Sequence, residues 1–392
     1  MRSGGVMSLD RFAVIAGHEL RTQLAGPLFW VLLASVLLVT STLNPVAMIP
    51  SDGAEVGGVR AFINSPHALA QTFALGSFLA YTFFAAFMAG LSVLRDDESG
   101  IGDLLHSTPL TAAEYVLGKL AGVTAALGVA FGIHLLLAIG FYQYGAESGS
   151  ALHGPFRLGH YLLPALVLAA PGIWCCAALA FVVGERTRRP LAVYAIPTVL
   201  FVLTLTFLWT WSPPWLDPRV DRLLMLVDPT ALRWLSQTLF RVDRDVAFYN
   251  TAPLAFDATL LLNRLLVLGL PALAVLGSIR HFRQSIGGAG AVRSRRAPRA
   301  SVPGGAPERG AAGFETLRDL AMTARPPGLL AGTWTILRAE LRELRRQPAL
   351  YLFTAFLMLV VVEVAGTDAD AFGAPVLLTA GGLAVRTLPV VT

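Results

Sequence analysis

The sequence predicts an all-α protein that crosses a membrane several times. Three observations predict it. Of 392 residues, 55% are hydrophobic and 14% charged, where soluble domains carry roughly 25% charged residues. Seven runs are apolar over about the length of a helix that spans a bilayer. Arginine is concentrated in some of the connections between those runs and scarce in others, which is how polytopic chains encode their orientation.

From the N-terminus, Ser8–Leu24 reads as an amphipathic helix lying on a membrane surface. Ser8 is placed as its N-cap. Leu9, Phe12, Ala13, Ala16, Leu20 and Leu24 share one face, with Arg11, His18 and Thr22 opposite. Pro27 opens the first span, roughly 27–43; its leader carries Asp10 and Glu19, so it reads as a signal anchor and not as a cleaved signal peptide. Further spans are expected at about 68–94, 120–142, 161–183, 191–211 and 259–279. Between the last two lies a long segment, 212–258, with the amphipathic pieces "DRLLMLVDP" and "ALRWLSQTLFR". Trp209, Trp211, Trp215 and Trp234 suit a membrane interface, so short helices at the outer leaflet are expected there.

Several residues within the spans stand out. Gly118/Gly122 and Gly128/Gly132 form two small-xxx-small pairs that predict close helix packing. His134, mid-span, is either a functional intramembrane group or a neutral ring bonded to a neighbouring helix. Arg264 and Glu363, near outer ends, are expected to snorkel to the interface. Cys175 and Cys176 are adjacent, too close for an ordinary disulfide, and read as small buried hydrophobes.

Charge placement sets the sides. The connection "GERTRRP" holds Arg186, Arg188 and Arg189, and the stretch from Arg280 to Arg346 holds 13 Arg against five acids. Both are expected in the cytoplasm, and with six spans before Arg280 the N-terminus is cytoplasmic too. Of 30 basic residues, 29 are Arg and one is Lys119, a bias that points to a GC-rich bacterial genome and hence to a bacterial inner membrane.

The opening pattern returns 321 residues later, where Ile336, Glu340, Leu341, Arg342 and Pro348 repeat Ile15, Glu19, Leu20, Arg21 and Pro27, and an apolar run, 350–365, again follows. The expected organisation is a first membrane repeat over 1–285, a Gly/Pro/Arg-rich cytoplasmic linker over 286–332, and the start of a second repeat over 333–392. Whether the chain is truncated there or continues is left open. The linker's Arg293, Arg295, Arg296 and Arg299 suit anionic lipid heads; nucleic acid is not expected as a partner.

One connection departs from the basic pattern. Between Arg95 and Lys119 the chain carries five acids and two bases. Thr111-Ala-Ala-Glu114 is a capping box, with Leu110 and Tyr115 placed as its hydrophobic staple, so a helix starts at Ala112 and continues into the third span. Asp103–His106 fits a short separate helix bracketed by Gly100, Gly102 and Pro109. Two rigid arms around a sharp corner can transmit force; a solvated hairpin with good caps is the plainer reading.

This stretch, "GLSVLRDDESGIGDLLHSTPLTAAEYVLGKLAG", resembles the cytoplasmic loop of ABC-2 type transporter permeases. Arg95, Asp96, Gly100, Leu104, Leu105, Ser107, Thr108, Pro109, Leu110, Tyr115, Gly118 and Lys119 match the family's pattern. "HELRTQLAGPLFW" resembles its elbow helix, and "DPTALRWLSQTLFR" and "LLLNRLL" resemble the later segments of a subgroup whose longer members carry a zinc aminopeptidase domain. The resemblance implies a six-span permease repeat with a cytoplasmic elbow helix and a coupling helix, in the membrane subunit of an ATP-driven exporter. The loop would dock on a separate ATPase subunit, with Asp96, Asp97, Glu98 and Asp103 available to pair with its basic residues. Glu19 and Arg21 would belong to the first elbow, and Glu340 and Arg342 to the second. Either a second permease half or another copy of the chain would complete the transporter.

Absences fit that reading. No GxxxxGK[ST] occurs, so ATP and Mg²⁺ are expected on the partner, with no cofactor bound by this chain. No HExxH occurs, so neither a metal site nor enzyme activity is expected here. A membrane anchor for a larger peptidase and a non-transporting scaffold remain as alternatives.

Overall fold

The computed structural model describes residues 7–43, 55–56, 59–60, 62–99, 110–145, 153–209, 211–213, 215–240 and 246–286, together with Trp334 and Arg338. The chain divides into two compact units. The first includes Met1–Gly287; of the second, Gly288–Val376, only Trp334 and Arg338 are described. The expected second elbow with Glu340 and Arg342, the run 350–365 with Glu363, the linker arginines, and the loop residues Gly100, Asp103, Leu104, Leu105, Ser107, Thr108 and Pro109 lie outside the described residues.

The first unit is a helical bundle. Helix α1 (Leu9–Ala25) meets α2 (Pro27–Thr42) at Gly26 with a bend of 62°. Pro27 has no N–H to continue the ladder of α1 and disfavours helical backbone at the residue before it, so the bend follows from the sequence. The longer helices are α3 (Pro66–Glu98), α4 (Ala112–Tyr144), α5 (Leu158–Thr187), α6 (Pro190–Trp209) and α10 (Ala258–Ile286). Between α6 and α10 come α7 (Pro218–Val227), α8 (Leu232–Leu235, continued by a π turn at Ser236–Phe240) and α9 (Val246–Thr251). A two-residue antiparallel pairing joins Glu55–Val56 to Val59–Arg60. Among the described residues five helices are long and apolar enough to cross a bilayer, and the bent α1–α2 pair is a sixth candidate. The protein is an all-α polytopic membrane protein.

Helix α3 is the centre of the bundle: 72% of its apolar window is buried, against 28–61% for the other four. It crosses α5 at backbone contact. A Cβ on Gly184 would lie 2.4 Å from the Gly90 carbonyl oxygen, and one on Gly90 would lie 2.4 Å from Val193 Cγ1 of α6. The two glycine pairs of α4 separate in role. Cβ atoms at Gly118 and Gly122 would come within 2.9 Å of Ile15 and 2.6 Å of Glu19 Cβ, whereas Gly128 and Gly132 have nothing within 4 Å. The first pair therefore seats α1 against α4, and the second borders open space.

Arg264 does not snorkel. It is buried, with Nε donating to Asn263 Oδ1 at 2.7 Å and Nη1 to the Leu168 carbonyl at 3.0 Å and the Val167 carbonyl at 3.5 Å. The reason lies in α5, where a π segment at Ala165–Ala169 is followed by Pro171, which has no N–H to give to the carbonyl four residues back. A guanidinium satisfies backbone acceptors that an apolar helix cannot. Arg233 is wholly buried in the same manner: it donates to the Phe207 and Trp211 carbonyls at 2.9 Å and pairs with Asp221. Asp228 binds the start of α8 through Thr230 N and Arg233 N, both at 2.9 Å, and Ala231 takes a left-handed φ of 61° at that corner. Helix α7 has no buried residue, while all four residues of α8 are buried, so the segment folds from the surface into the bundle.

His134 sits in an aromatic box, its ring stacked on Tyr81 at 5.8 Å and flanked by Phe73 and Phe131. Among the described residues its Nδ1 has no hydrogen-bond partner, and the packed rings hold it in place.

The α1–α4 seat predicts that Gly122→Ala lowers the melting temperature in detergent, because the added carbon collides with α1. Gly128→Ala, which adds helix propensity in open space, should leave it unchanged or raise it. Equal behaviour of the two variants in a thermal melt would refute the assignment.

Candidate functional site: a buried ion cluster

The sequence motifs place Glu19 on α1, Arg95 and Asp96 at the end of α3, and Tyr115 and Lys119 on the first turns of α4. The structure brings all five together. Lys119 is 5% exposed; its Nζ lies 2.7 Å from Asp96 Oδ2 and 3.2 Å from Glu19 Oε2, and donates to the Ser92 carbonyl at 2.7 Å. Glu19 is also buried, and its Oε1 accepts from Arg95 Nη2 at 2.7 Å and from Gln23 Nε2 at 2.6 Å. Gln23 spends its amide again on the Met88 carbonyl at 3.1 Å. Tyr115 O–H donates to Asp96 Oδ2 at 2.8 Å.

Two carboxylates and two bases make the cluster formally neutral, and buried charges persist only when paired and hydrogen-bonded in this way. The charges come from three helices, so the cluster ties α1, α3 and α4 to one another. A second tie holds the beginning of α1. Glu114, with its side chain fully buried, closes the capping box: Thr111 N donates to Oε2 at 2.7 Å, and Glu114 N donates to Thr111 Oγ1 at 3.2 Å. Its other oxygen accepts from Ser8 N at 2.6 Å, and Arg11 Nη1 stands 3.7 Å from Oε2. Ser8 is the N-cap of α1 by position, but no side-chain cap bond is made; its backbone N–H is what finds a partner, on another helix.

The buried face of α1 differs from its apolar stripe. Leu9 is 72% exposed, whereas Glu19 and Gln23 are the buried residues of the helix. Arg21 is exposed and stands outside the cluster. Leu110 is half-buried at the start of α4, and the side chains of Asp97 and Glu98 lie outside the described residues. Gln23 was missed from sequence, although its spacing of four from Glu19 is the helical signal for a paired side chain. Phe282 was missed as well. It stacks on Tyr115 with centroids 4.8 Å apart, joining the end of α10 to the cluster, and the Arg188 guanidinium lies 5.9 Å from its centroid. No spacing rule could have paired residues 167 positions apart.

Among the described residues no group of His, Cys, Asp or Glu is arranged to hold a metal ion. The cluster's lysine and carboxylates are all mutually committed, so it is built to hold helices in register.

The profile of the ABC-2 family transporter proteins matches residues 23–227, which contain α2 to α7 and four of the cluster's five charged and phenolic groups. The chain belongs to that family. It is also 26% identical over 211 residues to the probable ABC transporter permease protein NosY of Stutzerimonas stutzeri, a match covering 51% of this chain and 72% of that one. The chain is thus a multi-pass transporter permease, and an ABC system implies an ATPase partner.

Removing one charge from the buried pair leaves the other uncompensated, at a cost of about 3–5 kcal/mol. Lys119→Met should therefore lower stability in a detergent melt more than Arg95→Gln, because Arg95 is 45% exposed and keeps access to water. The double variant Glu19→Gln/Lys119→Met should be less damaging than the sum of its single changes. Strict additivity would show that the two do not interact.

Proposed function

We propose that this chain is the membrane subunit of an ATP-driven exporter, and that the connection 95–119 receives motion from a separate ATPase subunit and passes it through the ion cluster to the bundle. One observation carries this reading: the residues at both ends of that connection, Arg95, Asp96, Tyr115 and Lys119, share a buried network with Glu19 of α1. A push on the connection moves α3, α4 and α1 as one body, since separating them would strand buried charges.

ATP and Mg²⁺ are bound by the partner, and the chain itself carries out no covalent chemistry. The acidic side chains of Asp97, Glu98 and Asp103 offer the partner a complement for basic groups, setting register and encounter rate. The arginine-rich connections support a cytoplasmic N-terminus in a bacterial inner membrane. A second permease half or a second copy of this chain completes the path across the membrane.

Docking and transmission separate experimentally. With the chain co-expressed with an ABC ATPase encoded beside its gene, Asp97→Lys/Glu98→Lys should reduce co-purification on the order of tenfold at low salt, the deficit narrowing as salt screens the charges. Tyr115→Phe, which removes the hydroxyl that bonds Asp96 and keeps the ring, should retain the ATPase yet lower its stimulation in proteoliposomes. Unchanged association of the charge-reversed chain argues against docking through this loop. Full stimulation with Tyr115→Phe argues against transmission through the cluster.

A further inference from the structure

Where α5 turns into α6, beside the end of α10, the bundle carries a cationic surface that the coupling reading does not use. Arg186 at the end of α5, Arg189 in the turn, and Arg280 and Arg283 on α10 are all exposed. Among the described residues, none of these four guanidinium groups has a hydrogen bond or an ion pair. Their neighbours are committed elsewhere. Arg188 donates from Nε to the Glu185 carbonyl at 2.8 Å and faces Phe282. The carboxylate nearest in sequence, Glu185, is buried at 1% side-chain exposure and meets His281 Nδ1 at 2.9 Å. Among the described residues, none of these four cations is paired with an acid.

Positive charge at a membrane boundary follows from topology alone. The placement of Arg186 does not. Its Nη2 lies 3.0 Å from the point where a Cβ on residue 277 would stand. Gly277 leaves the guanidinium room to rest against α10, one turn from Arg280 on the same helix. Continuing along α10 away from the charges, Leu276 and Leu273 are 53% and 64% exposed. Guanidinium groups at one end and bare leucines below them match the two halves of a phospholipid. Guanidinium is the side chain best suited to a phosphodiester, because its fork offers parallel N–H donors. The leucines offer an acyl chain the contact that any lipid-facing helix does.

We propose that Arg186 and Arg280, with Gly277 as the seat that positions Arg186, bind one anionic phospholipid where α5 meets α10, its phosphodiester on the guanidinium groups and an acyl chain along Leu276 and Leu273. The occupant is a lipid and not a free anion because the surface continues into exposed leucine. The site shares no residue with the coupling cluster.

Native mass spectrometry of the full chain, released from micelles containing equal phosphatidylglycerol and phosphatidylcholine with matched chains, tests this. One phosphatidylglycerol per chain should be retained in excess over phosphatidylcholine. Arg186→Gln/Arg280→Gln should reduce that excess roughly thirtyfold, the scale expected from losing two basic contacts near an anionic surface. Gly277→Leu should reduce it too, although it removes no charge. Arg21→Gln, an exposed arginine on α1, should leave it intact. Equal retention of the two lipids overturns the proposal, as does wild-type retention by Gly277→Leu, which would reduce the site to bulk charge. Displacement of the phosphatidylglycerol by millimolar inorganic phosphate would overturn the lipid as occupant in favour of a free-anion site. The melting temperature of each variant separates loss of lipid from loss of fold.

Discussion

The bundle's geometry at one end rests on a single ammonium group. Lys119 is the chain's only lysine, and it is held between Asp96 of α3 and Glu19 of α1 while its own helix, α4, carries it. Out of water, none of these charges can be left alone, so each fixes the position of the other two. The neighbouring contacts follow from that constraint. Arg95 and Gln23 fill the remaining capacity of Glu19, Tyr115 fills that of Asp96, and the Ser92 carbonyl takes a third donor of Lys119.

Small residues make the cluster reachable. Helix α1 can bring Glu19 to Lys119 only because Gly118 and Gly122 let its backbone lie on α4. Glu114 then anchors the start of α1 while serving its own capping box, so one carboxylate organises two helix beginnings. The amphipathic helix is thus packed into the bundle of this chain; a helix merely resting on a membrane would need no buried ion pair. The 62° bend at Gly26–Pro27 lets α2 turn away into the apolar region.

The other end of the bundle solves a related problem differently. There the charges are arginines whose partners are mostly backbone carbonyls. Prolines and π segments in α5 and α6 change the hydrogen-bond ladder, and Arg264 and Arg233 take up acceptors from those helices and their ends. The folded segment of α7 and α8 is thereby pinned to α5, α6 and α10 by groups with many donors in fixed directions. Its acids, Asp221 and Asp228, are internal partners for that pinning.

The all-α, multi-span class was legible in the sequence because hydropathy over some twenty residues is a local property. So were the bend before Pro27 and the capping box at Thr111 and Glu114, each set by residues within a few positions of one another. Motif resemblance singled out Arg95, Asp96, Tyr115, Lys119 and Glu19 without indicating that they touch. Tertiary structure alone decided that Glu19 faces inward against the apolar stripe of its own helix, because its charged partners, Arg95 and Lys119, lie 76 and 100 residues away. It alone decided that Gly118 and Gly122 are a seat while Gly128 and Gly132 are not, that Arg264 is buried, and that Phe282 joins the cluster. Periodicity reports which face of a helix is apolar; only the neighbouring helices determine which charges find partners and can leave water.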